Sequence, residues 1–235
     1  MVIKNIVAQL VICTLLLFFI AYFSAGIVIN VNSVVYTKPF IIPLFVFYVW
    51  LKHQKKLPTL FYWYSFFFYV NEVLLLFWQH SNLIYELALI VSFCGYICLC
   101  YMGYLSVRKQ KKSSFSKGYK LLIVLINCMF LLSVFYFLKS IIPEKSLGII
   151  IFFNSLSAIS LGVIAVLYLS KVTSKKSYYY FFGAFCLIIN DVFAAIGTYY
   201  FDDVILNTLD RVLHFSSFYL IYKFVSITKK RLKTT

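Results

Sequence analysis

The sequence predicts an all-α fold: a polytopic membrane helix bundle of about eight transmembrane helices, forming a single integral-membrane domain over residues 1–235. Three observations predict it. Hydrophobic residues make up 63% of the chain, and mean hydropathy is +0.92, well beyond the composition of an ordinary soluble domain. Apolar runs long enough to cross a bilayer recur from end to end. The basic residues fall in short segments between those runs and alternate in density along the chain. A β-barrel would instead show segments of about ten residues alternating in polarity. The longest polar stretch is 108–120, so no separate soluble domain is expected.

In order, the expected spans are 6–28, 37–51, 60–78, 84–107, 120–138, 147–170, 178–199 and 205–226. The first follows Lys4 and resembles a secretory signal. Its apolar run is long for one and lacks the small-residue cleavage pattern, so it reads as an uncleaved span. The second is the shortest, about 22 Å at 1.5 Å per residue. Pro43 is expected to kink its start, and a re-entrant segment is the alternative.

The chain carries 22 Lys and Arg against 7 Asp and Glu, a net charge of +15. With the N-terminus in the cytoplasm, only Lys38, Lys139, Lys145 and Arg211 fall outside, and 18 of the 22 fall inside. That bias is the positive-inside pattern of a multi-pass cell-membrane protein with both termini cytoplasmic. It accounts for the charge without nucleic acid. The expected partners are membrane lipids, with anionic lipid contact at the 108–120 loop. Tyr178, Tyr179 and Tyr180 on one side and Trp78, Tyr199 and Tyr200 on the other suit the two interfaces. No oligomeric state follows from the sequence.

Six cysteines, Cys13, Cys94, Cys98, Cys100, Cys128 and Cys186, all lie inside spans. Without a CxxC or a nearby His they read as small packing residues. No P-loop, dinucleotide fingerprint, nucleophile elbow or metal-ligand spacing is present. No metal and no cofactor are expected.

Chemistry is concentrated in two acids. Glu72 lies in the third span and Asp191 in the seventh, as Asn71-Glu72-Val73 and Asn190-Asp191-Val192. A carboxylate inside a bilayer costs at least ~2.5 kcal/mol. Both spans run outward, and the acids lie about 9 and 12 Å below their outer ends. This recurrence four helices apart hints at two parallel halves. In the structural reading, Asn127, Asn154, Ser155 or Ser157 hydrogen-bond the carboxyls. In the functional reading the carboxyls converge within roughly 5–10 Å, one protonated as donor and the other as acceptor. Lys38 at the outer mouth is a snorkelling anchor or a cation for a lipid phosphate. The aromatic tract 61–69, ending at Tyr69, is packing or a wall for an acyl chain. Asp210 and His214 share a helix face, and with Arg211 they read as an interfacial ion-pair cluster.

Three of these pieces resemble the YhhN-like family of lysoplasmalogenases. Thr37-Lys38-Pro39 resembles its Lys-Pro opening of the second span. Asn71-Glu72 stands where the family has Gly-Asp, and Gly183-Ala184 through Asn190-Asp191 to Ala195 resembles its Gly-Ala … Ser-Asp-x-x-x-Ala segment. The resemblance implies a hydrolase that splits the vinyl ether of a lysophospholipid, with its two acidic positions on Glu72 and Asp191. Lys38, Tyr69, Asn71, Asn154 and Asn190 are the expected substrate contacts. Vinyl ether hydrolysis needs a proton donor and a carboxylate, which two carboxyls in low dielectric provide. The chain departs from the family in lacking a clear His-x-x-Tyr in the fourth span, where Gly95, Tyr96 and Tyr101 stand, and a Gln in the last. A non-catalytic lyso-lipid binder is therefore kept beside the hydrolase. A small transporter or proton-coupled carrier using the same acids is the alternative from another class.

Overall fold

A computed structural model describes residues 38–53, 57–77, 81–108, 110, 145–199 and 204–227, with scattered positions between 118 and 136. Among the described residues all regular structure is helical: α1 (Lys38–His53), α2 (Thr59–Leu75), α3 (Asn82–Arg108), α4 (Lys145–Lys171), α5 (Lys175–Tyr199) and α6 (Val204–Ile227). Among the described residues, three stretches are long and apolar enough to cross a membrane: Asn82–Arg108, Leu147–Lys171 and Lys175–Ile196. They fall on the expected fourth, sixth and seventh spans. Helices α1, α2 and α6 fall on the second, third and eighth. The expected first span lies outside the described residues. The fifth is described only at scattered positions, all helical.

Helix α1 runs through Pro43 to His53. Proline removes one bond, from its own nitrogen to the carbonyl four residues back. That carbonyl belongs to Pro39, in the first turn, so most of the helix ladder is untouched.

The spanning helices keep large apolar residues on their outsides. On α3, Leu83, Leu87, Ile90, Ile97, Tyr101 and Tyr104 are all exposed. Their spacing of three, four and seven puts them on one face. A continuous apolar face of this kind suits lipid, not water.

The chain divides into two compact units, residues 1–95 and 96–235, with the division inside α3. In the first, α1 packs against α2. The aromatic tract splits by face. Phe61, Tyr64, Ser65, Phe68 and Glu72 are buried at helical spacing, while Trp63 and Phe66 are exposed. The ring of Phe68 lies against Gly95 of α3, where a Cβ would come within 2.8 Å of it.

In the second unit α5 packs along α6 and against α4. Tyr168, Tyr180 and Phe224 form a buried aromatic knot, with Tyr180 and Phe224 centroids 4.8 Å apart. The Tyr180 hydroxyl donates to the Leu99 carbonyl at 3.0 Å, which ties α5 to α3. Gly183 admits Ile221 of α6, whose Cδ1 would lie 2.8 Å from a Cβ there.

Candidate functional site

The polar residues of the second unit gather where α3, α5 and α6 meet. Helix α5 buries Tyr180, Ala184, Leu187 and Ile188 along one side. Asp191 follows Leu187 by four and Ala184 by seven, so the 3.6-residue period carries it toward the same side. Asn190, one residue earlier, is buried. Helix α6 buries Asp210, His214, Ser217, Phe218 and Ile221, again at helical spacing.

Asp191 is held from α3. The fully buried Tyr96 donates its hydroxyl to Asp191 Oδ2 at 2.5 Å. This short bond joins α3 to α5. It offsets part of the cost of a carboxylate among apolar helices.

Asn190 joins α5 to α6. With its amide nitrogen toward α6, it donates to Asp210 Oδ1 at 2.7 Å and to the Asp210 backbone carbonyl. The other end of the amide lies 3.4 Å from His214 Nδ1 and 3.5 Å from Asp191 Oδ1. An amide oxygen there accepts from an Nδ1–H imidazole, which sets the tautomer of His214. Asp210 in turn pairs with Arg211 at 2.6 Å, with 5% and 14% of the two side chains exposed. Four polar side chains, Asn190, His214, Asp210 and Arg211, thus form one connected cluster, and the Tyr96–Asp191 pair lies beside it at the Asn190 amide.

The expected site residues divide between the units. Lys38, Tyr69, Asn71 and Glu72 belong to the first; Asn154, Asn190 and Asp191 belong to the second. Glu72 is buried on the core stripe of α2, and Tyr69 and Asn71 are half-buried beside it. Lys38 opens α1, and its side chain lies outside the described residues. In the second unit the structure brings Asn190 and Asp191 together. Asn154 lies on α4, with its Oδ1 buried and without a hydrogen-bond partner among the described residues. Cys100 Sγ contacts the Ser157 carbonyl at 3.7 Å, one turn from both Tyr96 and Asn154, so these two stand at similar height on α3 and α4.

Tyr96 and the inward position of Asp210 and His214 were not foreseen. Asp210 and His214 lie about 9 and 15 Å along α6 from Val204, well inside the helix, and α5 covers them. Their i, i+4 spacing was the available signal. Cys94, Cys98, Cys100, Cys128 and Cys186 are free thiols. Among the described residues no three of His, Cys, Asp and Glu group as a metal ion requires.

No family model, no curated protein and no solved structure matches this chain.

Proposed function

We propose that the chain is a lysoplasmalogenase-like hydrolase of the cell membrane, a divergent relative of the YhhN-like family with eight spans and cytoplasmic termini. The observation that carries this reading is the Asp191 carboxyl, capped by Tyr96 within a helix apolar enough to cross a membrane. Protonated Asp191 delivers its proton to the double-bond carbon remote from the ether oxygen. The double bond shifts, and an oxocarbenium ion forms at the carbon bearing the ether oxygen. The carboxylate left behind stabilises that cation and takes a proton from the water that attacks it. The hemiacetal then collapses to a fatty aldehyde and the glycerol hydroxyl, with one water consumed. Tyr96 holds the carboxyl in place from α3. Asn154 supplies a buried acceptor for the free hydroxyl of a lyso-lipid; a cation for the phosphate is the role that the family resemblance implies for Lys38. Glu72 is the second carboxyl of the family pattern.

The test is release of fatty aldehyde from 1-alkenyl lysophospholipid by the purified protein. Lipid binding without aldehyde identifies the non-catalytic relative; neither binding nor aldehyde ends the reading. Orientation is tested separately with single cysteines in intact cells. Positions in 139–145 should label from outside and positions in 108–120 should not.

A proton-coupled carrier is the second reading, and the polar cluster of Asn190, His214, Asp210 and Arg211 beside Asp191 favours it. Carrier sites are usually built where spanning helices break. Here α3, α4 and α5 run unbroken for 27, 27 and 25 residues, which ranks the hydrolase first. Acidification of the lumen of reconstituted vesicles on addition of a solute would reverse that order.

A further inference from the structure

Helices α4 and α5 meet in a short turn, with Lys171 ending one and Lys175 opening the other. Ser174 and Ser177 lock it reciprocally. Ser174 N–H donates to Ser177 Oγ at 3.0 Å, and Ser177 N–H donates to Ser174 Oγ at 3.2 Å. The Ser177 hydroxyl also donates to the Val172 carbonyl, and Ser177 is fully buried. This reciprocal capping fixes the turn, and with it the backbone positions of Lys171, Lys175 and Lys176.

The last turns of α6 lie beside it. Lys176 Nζ sits 5.0 Å from the ring centroid of Phe224, and Lys223 Nζ sits 5.2 Å from that of Tyr219. Phe224 is itself held by Tyr168 and Tyr180. Four lysines are therefore anchored at one end of the second unit, with the Nζ atoms of Lys176 and Lys223 set against aromatic rings. Residues 96–143, 145–190 and 211–235 contain no Asp or Glu. Tyr178 and Phe182 stack on each other and are exposed at the start of α5, an arrangement suited to the head-group level of a bilayer.

We infer that this end of the second unit is a binding site for the head group of an anionic phospholipid, its phosphate held by Lys171, Lys175, Lys176 and Lys223. The anion comes from the membrane because the site stands on spanning helices and is flanked by exposed aromatic rings. Each lysine near such a surface contributes about fivefold in affinity, and salt weakens the effect. The inference is independent of the proposed hydrolysis.

The experiment uses the full chain in detergent micelles, with phosphatidylglycerol or phosphatidylcholine added and bound lipid counted by native mass spectrometry. The wild type should retain phosphatidylglycerol over phosphatidylcholine by about tenfold or more, and less so at high salt. The K171Q/K175Q/K176Q/K223Q variant should lose the preference, and the same four changed to Arg should keep it. If the fourfold Gln variant does not fold, the pairs K171Q/K175Q and K176Q/K223Q should each lose part of it. Equal retention of both lipids by the wild type would overturn the site. So would an undiminished preference in the Gln variants, or displacement of the lipid by glycerol phosphate at equal concentration, which would make the occupant a soluble anion.

Discussion

Tyr96 and Asp191 stand 95 residues apart in the chain and 2.5 Å apart in the fold, joined by a hydrogen bond from the phenolic hydroxyl to Oδ2. The bond both orients the carboxyl and compensates its burial, so its loss should be felt in turnover and in stability.

Tyr96→Phe keeps the ring and removes the donor. Hydrogen bonds to charged groups contribute about 1.5–3 kcal/mol, so kcat for aldehyde release should fall about 10- to 100-fold, with KM little changed. Thermal unfolding in detergent should show a loss of about 1–3 kcal/mol from the carboxyl left without its donor. An unchanged kcat would reduce the pair to a packing contact.

Glu72 is tested by non-additivity. Under the family pairing, Glu72→Gln abolishes turnover, and Glu72→Gln with Asp191→Asn is no worse than either alone, as for residues that act as a unit. Glu72→Asp should retain or improve activity. Full turnover in Glu72→Gln would make Glu72 a polar member of the α2 core only.

Arg211 balances the buried Asp210. Removing one partner of a buried pair costs about 3–5 kcal/mol, because the other charge stays buried. Arg211→Gln should therefore destabilise strongly in denaturant unfolding in detergent. Adding Asp210→Asn should recover part of the loss, since the orphaned charge goes too. Equal stability of wild type and Arg211→Gln would show that the pair is solvated.

Gly103 lies under Tyr180. A Cβ there would overlap the Tyr180 hydroxyl and ring and come within 2.7 Å of Ile164 Cγ2. Overpacking of this kind costs about 1–3 kcal/mol, so Gly103→Ala should lower the melting temperature. Tyr180→Leu in the same chain should return part of it by vacating the space. A melting temperature unmoved by Gly103→Ala would mean that α3 and α5 slide apart freely.

Much of the fold was legible because its signal is local. Uninterrupted apolar runs mark 84–107, 147–170 and 178–199, and the helices extend one to three residues past these bounds at most of their ends. Pro43 lies inside α1, and the helix runs on past it because a proline near a helix start costs few ladder bonds. The site was half legible. Asp191 and Asn190 stand out as polar residues in an apolar run, and they do lie at the cluster. Tyr96 carried no mark, since it is one of 20 tyrosines and its role comes from a tertiary contact. Asp210 and His214 showed a shared face through their spacing, but their burial depends on α5 lying across them.

The most direct test compares wild type and Asp191→Asn on 1-alkenyl lysophospholipid, with free aldehyde measured against time. Asn keeps the shape of the side chain and removes its capacity to carry the proton. The account predicts aldehyde release by the wild type and at most about a thousandth of it from Asp191→Asn, with the variant still folded in detergent. Full aldehyde release by a folded Asp191→Asn protein would contradict it.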